Sequence, residues 1–597
     1  MPLISWKTTR WSLLTGPALI LLAAAAAAAP LLLKGNSCGH DFDFHLVSWF
    51  DALESWRQGI VYPHWTPSAN FGAGEPRFLF YPPLTWMLGA ALGSALPWPL
   101  VPIALTFLML AATGLATRAL ARQALEEGAA TLAGCAALFS GYALFTAYER
   151  SAFGELTGGC WLTLVLVFIL RDRNPSGSAY KRAFDGSAAP LALALAGAWL
   201  SNAPLGVMAC YLLAAVALAV ALLERSWAPA IRAAVAAAMG VGLAAIYLVP
   251  AAWEQRWIDV RQATDDPGER IENSWLFARH ADPALEFHDV VLKQVSIIAV
   301  SMIGIALIGL IVLWLRGRLS AKYPFFARRW WIPLALIPPV LLFLLLPISL
   351  PVWNLLPKLR FLQFPWRWLV ALEAPTAIFF VAAVWPGPST RRWRRIFVAV
   401  LCAAVFLAAS VTADKLFFQQ CDEEDNVAAM MNVDRTGAGF AGTDEYEPLG
   451  ADNTLIPTGL PAACLTADPS TSLGEGAGDA VPAWAASQGS CDATFSAIGN
   501  LVEHFRLAAT IPHAGYLILR LRSYPAWQVK VNGRPVSALP RREDGLIVVP
   551  VPQGPVELAV DWTTTADVIL GRWLSFIAVL LLTALWLLER RLRQPRL

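Results

Sequence analysis

The chain has 597 residues, 57% of them hydrophobic and 15% charged, with a formal net charge of +2. Soluble domains carry about a quarter charged residues, so this composition excludes an ordinary soluble globule and demands many membrane spans. The near-neutral balance gives no electrostatic footprint for nucleic acid, and the 26 Trp suit bilayer interfaces.

The N-terminal "MPLISWKTTRWSLLTGPALILLAAAAAAAPLLL" has a basic start and an apolar run of about 20 residues, long enough to span. We read it as an uncleaved anchor, with cleavage after the alanines as the alternative. Directly beyond lies "GHDFDFHLVSWFDALESWRQG", residues 39–59. From Phe44 to Arg57, Leu46, Trp49, Phe50 and Leu53 recur at helical spacing, which predicts an amphipathic helix along the membrane surface. Asp41 and Asp43 stand just before it, where acids commonly cap a helix and do nothing more. The chemical alternative is that two carboxylates at the mouth of a hydrophobic bundle take a proton from a hydroxyl or hold a divalent cation. The D-x-D spelling is weak by itself. It gains from the next stretch, "YPHWTPSANFGAGEPRFLFYPPL", whose glycines, prolines and aromatics suit a carbohydrate-facing loop. His64, Asn70, Glu75 and Tyr81 are its candidate substrate contacts.

Further apolar stretches fall near 98–118, 128–147, 155–171, 188–201, 205–223, 230–252, 291–315, 330–350, 366–386, 396–413 and 568–588. With the first they make about twelve spans, so both termini lie on one side. Lys and Arg decide which. Arg118 and Arg122, then Arg171, Arg173, Lys181 and Arg182, then Arg225 and Arg232 occupy alternate connections. Arg316 to Arg329, "RRWRR" at 391–395, the tail "ERRLRQPR", Lys7 and Arg10 complete the same set. The positive-inside rule makes that set cytoplasmic. Residues 34–97, 148–155, 202–204, 253–290, 351–365 and a large domain at 414–567 then face outward. We therefore divide the chain into a membrane domain at 1–413, an external domain at 414–567, and a final span with a basic tail at 568–597.

On the outer side, "AYERSAFGE" offers Glu149, Arg150 and Glu155, as fit to pair with one another as to touch substrate. "PKLRFLQFPWRWL" offers Lys358, Arg360, Gln363 and Arg367. Such cations either snorkel to lipid headgroups or receive a phosphate. Glu254 is a weaker candidate, and His280 and His288 lack metal-ligand spacing. From about 496 to 563 apolar and polar residues alternate, and Asn532-Gly533 signals a hairpin, so a β-sandwich is expected there. Residues 420–495 read as loops around it. Of the eight cysteines, Cys135, Cys160, Cys210 and Cys402 fall inside spans. Of the external four we expect Cys464 to pair with Cys491, in one loop-rich segment, and Cys38 with Cys421 as the second pair, although sequence alone does not fix the pairing.

The segments "DFDFH", "YPHWTPSANFGAGEPRFLFYPPL", "YERSAFGE", "YLVPAAWE" and "FLQFPWRWL", from 38 to about 370, carry a resemblance. An acid pair after the first span, then a long outer loop and a multi-span bundle, resembles the GT-C glycosyltransferases. More specifically the chain resembles bacterial membrane proteins labelled as related to 6-pyruvoyl-tetrahydropterin synthase. Its C-terminal part, with "YPAWQVKVNG", is similar to YfhO-like membrane proteins. Where the family tends to show Ser-His-Asn, this chain has Ser201-Asn202-Ala203. The resemblance implies an inverting transferase taking sugar from a polyprenyl-phosphate donor to a glycan, lipid or protein acceptor. Asp41 would be the general base, Asp43 would assist directly or through a metal, and His45 would support the pair. Lys358, Arg360, Gln363 and Arg367 would receive the donor phosphate. The alternatives are a transporter or assembly component for lipid-linked glycans without catalysis, or a glycan-binding β-domain merely anchored by the bundle.

Overall fold

The computed structural model describes residues 10–171, 179–261, 265–316, 331–387, 390–473 and 495–593. The chain is a multi-pass helical protein with a C-terminal β-sheet domain. Among the described residues eight helices are long and apolar enough to cross a membrane: Thr15–Lys34, Trp98–Ala121, Glu127–Tyr148, Ala203–Glu224, Pro283–Leu315, Pro365–Val384, Arg392–Phe417 and Ala566–Leu592. Two bent pairs raise the number to ten: Ala228–Leu243 with Ala245–Trp257 at 72°, and Trp331–Leu344 with Pro347–Leu355 at 96°. Phe153–Ile169 and Ala188–Ser201 are shorter apolar helices. All twelve apolar stretches are thus helical, but four of them do not run straight through a full bilayer thickness. The helix Arg392–Phe417 also passes the division placed at 413.

Small residues let these helices approach closely. A Cβ on Gly134 would lie 2.6 Å from the Gly114 carbonyl oxygen, so the helices Val101–Ala121 and Glu127–Leu138 meet backbone to backbone. Connections assigned to one side by charge meet at one end of the bundle. Trp385 Nε1 donates to Glu126 at 2.6 Å and Arg395 pairs with the same carboxylate at 3.4 Å. Arg232 donates to the carbonyls of Arg171 and Arg182, each at 2.7 Å. At the other end Lys34 pairs with Asp414 at 2.6 Å, and Cys38 is bonded to Cys421 across 383 residues with Cα atoms 4.9 Å apart. Cys491, the expected partner of Cys464, lies outside the described residues.

The β-domain begins earlier than the alternation suggested. Its strands are β1 (Ala463–Thr466), β2 (Phe495–Leu501), β3 (His504–Ile511), β4 (Gly515–Arg522), β5 (Trp527–Val531), β6 (Arg534–Pro535), β7 (Leu546–Val551) and β8 (Gly554–Trp562). They form two antiparallel sheets, ordered β1-β4-β7 and β2-β3-β8-β5-β6. Asn532 and Gly533, with φ of +50° and +76°, supply the two left-handed positions that join β5 to β6. The segment expected to be loops contains β1 and the helix Val427–Thr436. Its remainder from 474 to 494 lies outside the described residues.

The first loop is the seat of this domain. Trp65, 1% exposed, packs against Trp527 and Trp562 at centroid distances of 5.2 and 5.6 Å. Arg522 N–H donates to the Ala73 carbonyl at 2.8 Å, and Tyr524 Oη to Glu254 at 2.5 Å. Truncating a ring buried like Trp65 to Ala costs about 3–5 kcal/mol. The helix expected on the membrane surface runs from Phe42 to Arg57 and is corrected here: it is buried on both faces. Leu46, Trp49, Phe50 and Leu53 enter one cluster with Trp86, Val427 and Met430, while Ser48, Asp51 and Ser55 are also buried. The helix Val427–Thr436, far along the chain, covers what the local pattern left open.

Candidate active site at the mouth of the bundle

Residues 37–41 leave the first span and lie against 149–151. Asp41 N–H donates to the Arg150 carbonyl at 2.8 Å, Gly39 N–H to Ser151 Oγ at 3.1 Å, and Ser151 Oγ–H to the Ser37 carbonyl at 2.7 Å. A Cβ on Gly39 would stand 2.4 Å from the Glu149 carbonyl oxygen, so this close approach needs glycine. The turn sets Asp41 beside Arg150. Asp41 is the N-cap residue of the helix, but its side chain makes no capping bond. One carboxylate oxygen meets His40 Nδ1 at 2.9 Å and the other meets Arg150 Nη2 at 3.3 Å.

The network continues into the bundle. Arg150 Nη1 donates to Glu155 at 2.5 Å, and Tyr142 Oη donates to the other Glu155 oxygen. Arg367 Nε lies 3.3 Å from Glu155 as an ion pair without hydrogen-bond alignment, so Nε remains an unbonded buried donor. Arg367 Nη1 donates to the Leu362 carbonyl at 2.9 Å and to Gln363 Oε1 at 2.8 Å. Its Nη2 makes no hydrogen bond among the described residues. Gln363, at a left-handed φ of +60°, turns its amide nitrogen to Glu269 at 2.9 Å and Glu445 at 3.2 Å. Such a backbone persists only where its surroundings over-determine it. The Arg150 and Arg367 guanidinium carbons lie 5.9 and 5.0 Å from the Phe364 ring centroid.

Electrostatics sort these carboxyls. Burial pushes Asp41 up, but Arg150, His40 and His45 together outweigh it and hold its carboxyl well below the usual range. The hydrogen bond to Asp41 raises His40. Burial lowers His45 to about 4, so its ring is neutral. It is 2% exposed, its Nδ1 has no hydrogen-bond partner among the described residues, and it sits among Phe44, Trp49, Tyr81 and Phe153. Burial, with Glu445 and Asp266 close by, raises Glu269 to about 7 against Arg367 and Gln363. Burial likewise raises Glu445.

The structure therefore brings Asp41, Tyr81, Arg150, Glu155, Gln363 and Arg367 to one place, with His45 behind them. It separates the others. Asp43 is exposed and its carboxylate accepts the Phe44 N–H at 2.7 Å. Glu149 takes the Gln419 amide at 2.7 Å. Lys358 reaches Gln255 at 3.5 Å, and Arg360, 42% exposed, pairs with Glu272 at 2.6 Å. Lys358 and Gln363, at φ of 61° and 60°, flank the short helix that carries Arg360. His64 belongs to the β-domain joint, with Nδ1 on Glu503 at 3.0 Å and its ring stacked on Trp562. Glu75 is 1% exposed and paired with Arg77 at 2.6 Å; it accepts from Asn70 at 3.4 Å and from Thr443 N–H at 2.9 Å. Asn70 and Glu75 thus brace the loop against residue 443 with their polar groups already engaged. Asn202 caps the helix Ala203–Glu224 by accepting the Leu205 N–H at 3.0 Å.

Asp41 already meets His40 and Arg150, while Asp43, in the first turn of the helix, accepts the N–H of the next residue. Among the described residues no group of three or more His, Cys, Asp or Glu is arranged for a metal. Glu269, Glu445 and His40 are the site residues the sequence did not single out. Glu269 stands in "RQATDDPGERIEN", where no acid differs from its neighbours by spacing, and Glu445 comes from the linker into the β-domain.

No protein-family model matches the chain, and no curated protein matches it. Among solved structures, the apo oligosaccharyltransferase of Archaeoglobus fulgidus is 12% identical over 74% of this chain and 62% of its own, with a TM-score of 0.43. The arabinofuranosyltransferase AftD from Mycobacteria is 17% identical over 68% of this chain and 27% of its own, with a TM-score of 0.39. ArnT from Cupriavidus metallidurans, bound to undecaprenyl phosphate, is 14% identical over 70% of this chain and 91% of its own, with a TM-score of 0.28. The chain thus spans less than two thirds of the oligosaccharyltransferase and about a quarter of AftD.

Proposed function

We propose that this chain is a GT-C-type glycosyltransferase. It moves a sugar from a polyprenyl-phosphate donor, with inversion, to a glycan, lipid or protein acceptor at the outer face of the bacterial inner membrane. In this reading both termini are cytoplasmic and the β-domain is periplasmic. The observation that carries it is the Asp41–Arg150–Glu155–Arg367 network, built where three apolar helices begin or end and continuous with the loop that carries the resemblance.

The roles follow from the electrostatics. When the anomeric bond breaks, charge develops on the lipid phosphate, and a pre-placed guanidinium stabilises it. Arg367 has an unbonded Nη2 and is the phosphate ligand. Arg150, doubly held by Asp41 and Glu155, fixes those two carboxylates in place beside it. Asp41 stays ionised at every working pH and orients the acceptor hydroxyl as a hydrogen-bond acceptor. Its depressed pKa makes it a poor proton sink. Glu269, poised near neutrality, takes the proton. Purified protein should transfer sugar from a synthetic polyprenyl-phosphate-sugar, and surface glycans of a deletion strain, read by mass spectrometry, should lack one residue type. A strain whose glycans and polyprenyl lipids are unchanged would refute the proposal.

A further inference from the structure

The joint between the first loop and the β-domain holds a cleft of about 80 Å³, several times the room one water needs. Trp65, Phe505 and Trp527 line it, together with Gly72, His504 and Arg520. Arg520 is half-buried on β4, and among the described residues no charged or hydrogen-bonding partner acts on its guanidinium. A Cβ on Gly72 would lie 3.2 Å from that guanidinium, so the loop closes directly over it. No acid offsets its burial. The nearby carboxylate, Asp561, is already taken by His504 at 2.8 Å and by Arg506. Trp527 also lines the cleft, and its indole N–H is buried without an acceptor among the described residues. A half-buried guanidinium gives up part of its hydration with no partner in exchange, and Trp527 brings a second unpaired donor to the lining. Both would be relieved by one ligand that presents several acceptors.

We propose that this cleft binds an anionic sugar residue of a glycan, its carboxylate or phosphate on Arg520 and its ring edge against the aromatic wall. The volume fits an anionic group and the margin of a ring rather than a whole buried sugar, and planar bidentate pairing with an oxyanion is what arginine does best. The site lies on the same loop as Tyr81 but shares no residue with the Asp41 network, so it is a separate holding point for a glycan chain.

Full-length protein in detergent is titrated with methyl β-glucuronide, methyl β-glucoside, glucose 6-phosphate and inorganic phosphate, with binding read by saturation-transfer NMR. The glucuronide or glucose 6-phosphate should bind at least about tenfold more tightly than the glucoside, and Arg520→Gln should remove that preference. Equal binding of glucoside and glucuronide overturns the proposal, as does an unaffected Arg520→Gln protein. Inorganic phosphate binding as tightly as the sugars would reduce the cleft to a bare anion site and overturn its saccharide part. Should Arg520→Gln not fold, native protein decides: added salt should weaken glucuronide binding, and salt-independent binding contradicts the pairing. Binding is read without turnover, so its failure leaves the transfer reaction untouched.

Discussion

Arg150 and Asp41, 109 residues apart in sequence, hold each other twice: the Asp41 N–H donates to the Arg150 carbonyl at 2.8 Å, and Arg150 Nη2 meets the Asp41 carboxylate at 3.3 Å. Backbone and side chain thus agree on one geometry. Removing Asp41 leaves Arg150 with Glu155 alone, and removing Arg150 leaves Asp41 with His40 alone, so either change unbalances a network of enclosed charges, which is more costly than losing a surface pair.

The Cys38–Cys421 bond ties the turn that carries Asp41 to the segment entering the external domain. Replacing both cysteines by Ser should lower stability by about 2–5 kcal/mol and impair transfer, because Asp41 loses its tether. Thermal unfolding of the purified double variant checks this. An unchanged midpoint with full activity would mean that the backbone pairing with residues 149–151 suffices.

Arg367 and Arg360 separate two uses of arginine at one bend. Arg367→Lys should lower turnover at least about tenfold, because an ammonium lacks the fork that grips a phosphate. Arg360→Lys, in a half-exposed ion pair with Glu272, and Arg391→Lys should stay close to the native rate. Steady-state kinetics on the three variants decides, and equal losses at all three would remove Arg367 from donor binding.

Glu269 is pushed up to about 7 by burial first and by Glu445 and Asp266 next. A base must be unprotonated to act, so activity should fall as pH drops through about 7 and level off above it. Glu269→Gln should lower the plateau by about 10²-fold or more and abolish that inflection. A native-like pH profile in the variant would assign the proton elsewhere.

Orientation follows from the basic connections. A cysteine at Ser470, exposed beside the β-domain, should react with an impermeant maleimide in intact spheroplasts, and one at Arg391 should react only after lysis. The reverse pattern would invert the outer assignment of the site.

The helices were legible because apolar length is a local property, and Asn532-Gly533 was legible because a two-residue turn carries its own chemistry. Arg150 with Glu155 was legible for the same reason, five residues apart. What local pattern could not tell was which partner arrives from afar. The helix Phe42–Arg57 reads as half-exposed until Val427–Thr436 covers it, and Glu75 reads as a loop acid until Arg77 and Thr443 enclose it. Lys358 and Arg360 share a short basic stretch with Arg367. They take different partners, Gln255 and Glu272, and the stretch is bent at two positive-φ residues, Lys358 and Gln363, neither of which is the glycine that would have advertised such a turn.

The most direct measurement is single-turnover transfer from a polyprenyl-phosphate-sugar by purified Asp41→Asn, compared with native protein of the same secondary structure and thermal midpoint. Asn keeps the shape and the His40 contact but gives up the charge opposite Arg150 and the acceptor strength that orients the incoming hydroxyl. The account predicts a loss of about 10²-fold or more, with the pH inflection assigned to Glu269 still present. Native turnover in a folded Asp41→Asn protein would contradict it.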